Sequence, residues 1–157
     1  MVTMRIISVD ELGRLFASLQ GKPRVVVSGN VAVPCTAETC FVGAGMRRHS
    51  NLSYVPSRLS LVPVLLQRRI PADVVIIHCA PPRDGQLSLG IEVNILPAAI
   101  EGCRMRSGRV VAVINDQMPY TYGDALGPGE WVAVAIEVPE PRPAHDPAPP
   151  ADTSRAT

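Results

Sequence analysis

The side chains best suited to hold a ligand follow a single run of strand-forming residues. The segment GRVVAVI, residues 108–114, leads directly into NDQMPYTY, residues 115–122, which carries two amides, a carboxylate and two phenols. Such groups orient small polar ligands by hydrogen bonding. A buried strand that opens onto so dense a polar cluster is typical of a binding site. We therefore interpret residues 115–122 as one wall of a ligand-binding cleft.

The elements around this loop predict an α/β domain. Continuous apolar runs rich in β-branched residues are typical of central strands in parallel sheets. The chain has such runs at 23–27, 73–80, 109–114 and 131–138, with a shorter extended piece at 41–46. Helical patterns alternate with them, at 8–21, 61–69 and 95–107. Strands that alternate with helices predict three layers around a mostly parallel sheet.

Capping residues set the expected ends of these helices. Ser8 and Glu11 match a capping box at the start of the first helix. Ser60 and Asn94 are the expected N-caps of the second and third helices. Gly108 is the expected stop of the third helix.

The polar clusters of the chain follow the predicted strands. Ligands in open α/β sheets bind beyond the carboxyl ends of the strands, which meet at one edge in a parallel sheet. We expect one shared cleft at that edge, formed by Ser28-Gly29-Asn30, 43–47, 78–84 and 115–122. Residues 81–85, PPRDG, are predicted to form a turn there.

Composition and charge narrow the class of protein. The net charge of +1 argues against nucleic-acid and membrane-surface partners, because a protein with balanced charges is not attracted to either of these anionic surfaces. The N-terminal residues lack the apolar run of a signal peptide, and the longest apolar stretches fall short of the roughly 20 residues of a membrane span. We expect a cytoplasmic protein whose four cysteines are thiols. Residues 1–138 are expected to form one domain and the proline-rich residues 139–157 a disordered tail.

The sequence patterns for a metal site, a dinucleotide site and a cysteine nucleophile are weaker. Cys35 and Cys40, with histidines elsewhere, lack the paired spacing of a zinc site, so no metal is expected. Gly43-Ala44-Gly45 does not match a dinucleotide-binding fingerprint. Adjacent strand residues His78 and Cys79 point to opposite faces and cannot form a nucleophile pair. An anion site remains an alternative, formed by Arg47, Arg48, Arg58 and Arg83.

Three stretches of the chain resemble a known family in their order and spacing. They are FVGAGMRRHSNLSYVPSRLSLVP from Phe41, IPADVVIIHCAPPRDGQLSLGIEVN, and AVINDQMPYTYGDA. Together they resemble the N-terminal half of the acetyl-CoA hydrolase/transferase family, which includes acetate, succinate and 4-hydroxybutyrate CoA-transferases. The resemblance covers residues 41–126 well and 20–34 partly. Between Pro34 and Phe41 the family has roughly 30 more residues, about one strand–helix unit, so we expect a local shortening there.

The resemblance implies half of a CoA-transferase-like architecture that forms the acyl and carboxylate side of the active cleft. In the family, the catalytic glutamate and the CoA-binding motif belong to the second half, so no catalytic residue is expected in this chain apart from the candidate Glu92. The implied substrates are an acyl-CoA thioester and a small carboxylate, with no permanently bound cofactor. The expected substrate-binding residues are Ser28, Gly29, Asn30, Asn115, Gln117, Met118, Pro119, Tyr120 and Tyr122.

Three functional hypotheses remain open at this stage. The chain could act with a second subunit that carries the C-terminal half, or as a homo-oligomer. It could be a non-catalytic remnant or a small-ligand binding module that keeps the cleft. It could also be an independent small enzyme that uses Glu92.

We predict that truncation after Val138 leaves the thermal midpoint unchanged. The removed residues contain six prolines and almost no apolar side chains, so their packing could not offset the entropy of ordering them. Calorimetry of the full and truncated chains would measure this, and a drop of several degrees would mean that residues 139–157 pack on the domain.

Overall fold

A parallel unit of strands forms the centre of the protein. The structure, a computed structural model, describes residues 5–18, 23–27, 37–40 and 52–137. Within these ranges the strands are β1 (Arg5–Ile6), β2 (Val25–Val27), β3 (Ala37–Thr39), β4 (Leu52–Tyr54), β5 (Val74–Arg83), β6 (Gln86–Ser88), β7 (Arg109–Ile114), β8 (Leu126–Pro128) and β9 (Val134–Glu137). The helices are α1 (Val9–Ala17), α2 (Val62–Val64) and α3 (Leu96–Met105).

The main sheet has seven strands and is mostly parallel, as predicted. Its order is β1-β9-β7-β5-β6-β8, and β2 pairs with the first half of β5. Strands β1, β9, β7, β5 and β2 are parallel, whereas β6 and β8 are antiparallel. Strands β3 and β4 form a separate parallel pair, which the sequence patterns did not predict.

Two apolar clusters make the sheet the middle of three layers. On one face, α3 buries Leu96, Ala99, Ile100 and Cys103 against the odd-numbered residues of β5. On the other face, Leu12 and Phe16 of α1 pack against the apolar cluster that contains Val74 and Ile76 of β5. The period-2 alternation of β5 therefore separates the two cores.

The start of α1 follows the capping prediction in part. The Glu11 amide donates to the Ser8 hydroxyl, with 3.2 Å between nitrogen and oxygen. The Glu11 carboxylate does not return to the Ser8 amide but forms an ion pair with Arg5. The box is therefore half formed, because the arginine on β1 supplies a charged partner for the carboxylate.

Several predicted boundaries were wrong. The expected helix over 61–69 is a 3₁₀ turn (Leu59–Leu61), the short α2, and a π-helical segment (Leu65–Arg69), and Ser60 does not cap it. Asn94 does not cap α3 either, since its N-cap is Ile95 without a side-chain bond. Residues 129–131, expected partly in the last strand, form a 3₁₀ turn before β9.

The largest error concerns residues 81–85. The strand β5 continues through Pro81, Pro82 and Arg83, and only Asp84 and Gly85 form the turn to β6. Both turn residues have positive φ, 50° and 75°, which is the geometry that favours Asp-Gly in two-residue hairpins. The register shifts between Ala80 and Arg83, so the two prolines occupy an irregularity where their missing amides cost little.

Apolar side chains remain exposed near α2. Leu59, Leu61 and Val64 are between 47% and 59% exposed. Trp131 is half-buried, with its ring against Gly127 and below the Arg104 guanidinium, 5.6 Å from the ring centroid. No described helix combines the length and apolar character that crossing a membrane requires.

We predict opposite effects from two glycine-to-alanine changes. Gly102 of α3 lies against the backbone of the π-helical segment, and an added methyl group would be 2.9 Å from the Gln67 Cα. Gly102→Ala should lower the free energy of unfolding by about 1–3 kcal/mol through overpacking. Gly13→Ala in α1 is the control, because nothing lies within 4 Å of the added group, and it should raise stability by about 0.5–1 kcal/mol. Urea titrations of both variants measure this; equal changes would contradict the packing of α3 described above.

Candidate functional site

The loop 115–122 leaves the sheet beside the end of β5. Strands β5 and β7 pair in parallel up to Cys79 and Ile114, and the Asn115 amide continues the ladder by donating to the Cys79 carbonyl, at 3.0 Å. The segments 78–84 and 115–122 therefore lie at the same edge of the sheet.

Asn115 builds the first turn of this loop. It is 1% exposed, and its side-chain oxygen accepts a hydrogen bond from the Gln117 amide at 2.8 Å. Its carbonyl accepts from the Met118 amide at 3.1 Å. This is an Asx turn, in which the asparagine side chain replaces a backbone carbonyl. The geometry gives Asn115 a structural role in the loop.

A buried serine from β6 fastens the far end of the loop. The Ser88 hydroxyl donates to the Thr121 carbonyl at 2.8 Å and accepts from the amides of Thr121 and Gly90, at 2.9 and 3.3 Å. The Thr121 hydroxyl donates to the Gly90 carbonyl at 2.6 Å. One donated and two accepted bonds use the full capacity of the Ser88 hydroxyl. We call these contacts among Ser88, Gly90 and Thr121 the serine staple.

Gly90 and Met118 bring the two segments into close contact. Gly90 has a φ of +59°, and a Cβ at this position would overlap the Met118 side chain. Glycine is the residue that adopts this φ without strain and leaves room for the thioether. Met118 is 5% exposed, so its side chain lies on the buried side of the loop, against Gly90.

The outer surface of the loop carries two phenol rings and a guanidinium. The rings of Tyr120 and Tyr122 meet edge to face, with centroids 5.4 Å apart. The Arg83 guanidinium carbon lies 4.4 Å from the Tyr120 ring centroid. Tyr120 is half-buried and Tyr122 is 71% exposed. Exposed polar groups therefore line one continuous surface at the sheet edge.

The structure brings together the six predicted site residues from 115–122. Within this group, Asn115 and Met118 are buried, Pro119 and Tyr120 are half-buried, and Gln117 and Tyr122 are exposed. The exposed Gln117 side chain donates to Asp116 at 3.2 Å. Ser28, Gly29 and Asn30 lie outside the described residues, as does the tail from residue 139. Of the stretch between Pro34 and Phe41, where a shortening is expected, the structure describes residues 37–40.

Sequence reasoning missed Ser88, Gly90 and Thr121 as the residues that fix the loop. Ser88 and Gly90 belong to the "SLG" stretch quoted for the family resemblance, but no local pattern pairs them with Thr121, 33 residues away from Ser88. Glu92, the candidate carboxylate, is half-buried, and its backbone amide donates to the Leu89 carbonyl at 3.0 Å. The side chains that fix the loop are those of Ser88 and Thr121.

The cysteines behave as core residues. In the described part of the chain, Cys79 and Cys103 are buried free thiols. Cys79 packs in the α3 core with Val75 and Ile77, while His78 continues the opposite face of β5. Burial raises the pKa of the Cys79 thiol to about 12 and that of Cys103 to about 11. A thiolate nucleophile would need the opposite shift.

The described residues offer no metal-binding group. No cluster of three or more histidine, cysteine, aspartate or glutamate side chains occurs within the ranges that the structure covers. Cys35 and His49, two members of the zinc alternative, fall outside those ranges.

The family of the chain is decided by its match over residues 30–141 to the acetyl-CoA hydrolase/transferase N-terminal domain. This match covers more than half of the 157 residues. The chain belongs to the acetyl-CoA hydrolase/transferase family. The match includes both segments of the serine staple and the whole loop 115–122.

Individual relatives agree with this assignment. The chain is 36% identical over 90 residues to the succinyl-CoA:acetate/propanoyl-CoA:succinate CoA transferase of Fasciola hepatica, and the match covers 54% of this chain and 18% of that protein. The crystal structure of a 4-hydroxybutyrate CoA-transferase from Porphyromonas gingivalis is similar with a TM-score of 0.69 at 25% identity. That similarity covers 87% of this chain and 40% of the other.

A further solved structure gives a smaller overlap. RipA from Yersinia pestis matches with a TM-score of 0.51 at 26% identity, over 60% of this chain and 20% of that chain. The 157 residues thus span less than half the length of each of these relatives. The fold is that of one CoA-transferase-like part of a larger architecture.

We predict that the Cys79 thiol contributes to stability in a pH-dependent way. Its folded-state pKa lies above its ordinary value of 9.0, so the folded protein holds the proton more tightly than the unfolded chain. The contribution should be complete below about pH 9 and be lost as the pH rises toward the folded-state pKa. Urea unfolding at a series of pH values should show the stability difference between wild type and Cys79→Ala shrinking above pH 9.

The control for this experiment is Val75→Ala, a truncation in the same core cluster without a titratable group. Its stability difference from wild type should stay constant over the same pH range. A Cys79→Ala difference that is equally constant would contradict the buried, protonated thiol.

Proposed function

We propose that this chain forms the acyl and carboxylate side of the active cleft in an acyl-CoA:carboxylate CoA-transferase or acetyl-CoA hydrolase. The observation that carries the proposal is the docking of loop 115–122 onto the 88–90 segment by the serine staple, in a chain of this family. The relatives bear CoA-transferase names. Since the chain spans only part of their length, activity of the complete assembly is part of the proposal.

The exposed groups of the loop fit a small carboxylate. The Gln117 amide and the phenols of Tyr120 and Tyr122 can donate hydrogen bonds to its oxygens. Asn115, Met118 and Pro119 contribute by shaping the loop beneath these groups. Ser28, Gly29 and Asn30, after β2, are proposed to provide backbone donors to the polarised carbonyl oxygen.

The chemistry assigned to the complete site is acyl transfer through an enzyme carboxylate. A glutamate from the complementary half attacks the thioester carbonyl carbon, the bond to sulfur breaks, and CoA leaves as the thiolate. The CoA thiolate then attacks the glutamyl carbonyl of the resulting mixed anhydride and expels the donor carboxylate, which leaves a glutamyl-CoA thioester. An acceptor carboxylate attacks this thioester and forms a second anhydride, and CoA attacks its acyl carbonyl to give the new acyl-CoA and the free glutamate. In a hydrolase, water attacks the thioester instead and releases CoA and the glutamate. The present chain binds and orients the small acid, and the reaction needs an acyl-CoA substrate but no resident cofactor.

We expect the isolated chain to bind small carboxylates but not to turn over acyl-CoA. Amide NMR spectra of the labelled chain should shift within residues 115–122 when propionate is added, whereas incubation with acetyl-CoA and succinate should release no free CoA. The absence of turnover follows from the need for a carboxylate nucleophile supplied by the other half.

Two results would contradict this assignment. Turnover that disappears in Glu92→Gln would make the chain an independent enzyme. Binding shifts that are absent from 115–122 would favour a remnant without a working cleft. Sodium chloride at the same ionic strength is the control, because nonspecific screening moves exposed amides equally in both salts.

A further inference from the structure

Arg83 is a cation held beside loop 115–122 by contacts that leave its charge available. It is exposed at the end of β5, and its guanidinium lies over the face of the Tyr120 ring. Within residues 5–18, 23–27, 37–40 and 52–137, it makes no ion pair, and Arg5–Glu11 is the salt bridge present in those ranges. A guanidinium stacked on a ring still has the N–H donors along its edge.

Two independent devices fix the position of this guanidinium. Arg83 pairs with Gln86 across the Asp-Gly hairpin, which sets its backbone. The serine staple fixes Thr121, the residue between Tyr120 and Tyr122, and the edge-to-face contact of the two rings restricts Tyr120. The Tyr120 ring, which supports the guanidinium, is therefore held in place through Thr121 by the buried Ser88 hydroxyl.

The carboxylates near this position do not neutralise it. Asp84 follows directly in the turn with a φ of 50°, and no oxygen of it lies within 4.0 Å of the guanidinium nitrogens. Asp116 accepts a hydrogen bond from the Gln117 side chain. An unpaired, pre-positioned guanidinium beside donor side chains is suited to bind an oxyanion through two parallel N–H bonds.

We propose that Arg83 is an anion-recognition residue of this cleft and that Tyr120 positions it. The ligand group is an oxyanion carried at a distance from the reacting end of the substrate: the second carboxylate of a dicarboxylic acid, or a phosphate of the CoA nucleotide. The inference rests on the proposed function, because it assigns selectivity to the same cleft. It makes Arg83 a determinant of selectivity for substrates with a second negative charge.

The experiment compares matched ligands that differ by one charged group. Dissociation constants of the full chain are measured by NMR titration for succinate and propionate, and for 3′,5′-adenosine diphosphate and adenosine. If Arg83 binds the second carboxylate, succinate should bind more tightly than propionate by about fivefold or more. If it binds a phosphate, 3′,5′-adenosine diphosphate should bind more tightly than adenosine by the same factor. Arg83→Gln should remove that preference.

Substitutions distinguish the contributions of the Arg83 charge, of its planar guanidinium group and of the Tyr120 ring that supports it. Arg83→Lys keeps the charge but loses the planar fork, so it should recover only part of the preference. Tyr120→Leu should reduce the preference. Tyr120→Phe keeps the ring but loses the phenol donor, so it should weaken binding of both members of a pair and retain the ratio between them. Arg106→Gln, an exposed arginine near the end of α3, is the control and should change neither ratio.

The outcomes distinguish this inference from the proposed function. If propionate shifts residues 115–122 but Arg83→Gln leaves both selectivity ratios at their wild-type values, the cleft stands and the role of Arg83 is wrong. If neither carboxylate binds, the proposed function fails, and the nucleotide pair alone tests Arg83. A preference lost equally in Arg106→Gln would mean that general surface charge causes it, which would also overturn the inference.

Discussion

The candidate site depends on one buried hydroxyl, that of Ser88. Ser88 is inaccessible to solvent, so its hydroxyl cannot bond to water in the folded protein and must find its hydrogen-bond partners within the chain. All of its capacity is used by the backbone of Thr121 and Gly90. Removal of the oxygen would leave these backbone groups without their partner, at a cost of about 1–3 kcal/mol. This cost makes the position of the loop specific.

The two ends of loop 115–122 are controlled by different parts of the sheet. Asn115 extends the parallel pairing of β7 with β5, whereas Thr121 is held by the antiparallel addition of β6. Strand β5 connects these parts, and its register shifts at the two prolines between them. A polar loop at the end of a strand would ordinarily sample many conformations, but here both ends of the loop are fixed, and this restricts the positions of Tyr120 and Tyr122.

The central strands could be predicted from sequence, because apolar runs such as 109–114 carry their own burial signal. A helix was predicted over 61–69, but the π-helical form of residues 65–69 could not be predicted, because that segment packs closely against Gly102 of α3, which is distant in sequence. The hairpin of β5 and β6 was obscured by two prolines, which ordinarily signal a turn. The serine staple joins positions 33 residues apart, so no local pattern in the sequence could reveal it. The same holds for the contact between Arg83 and Tyr120. Only the folded chain shows that Asn115 and Met118 are buried and support the loop from within.

Hydrogen exchange of the Thr121 amide tests the central claim most directly. NMR-detected exchange in the full chain reports the bond from this amide to the Ser88 oxygen, at 2.9 Å, without a ligand or an activity. The account predicts protection of Thr121 comparable with that of the amides in the centre of β7, because both open only with the core. Exchange of Thr121 at the rate of an unstructured peptide, with β7 still protected, would contradict it.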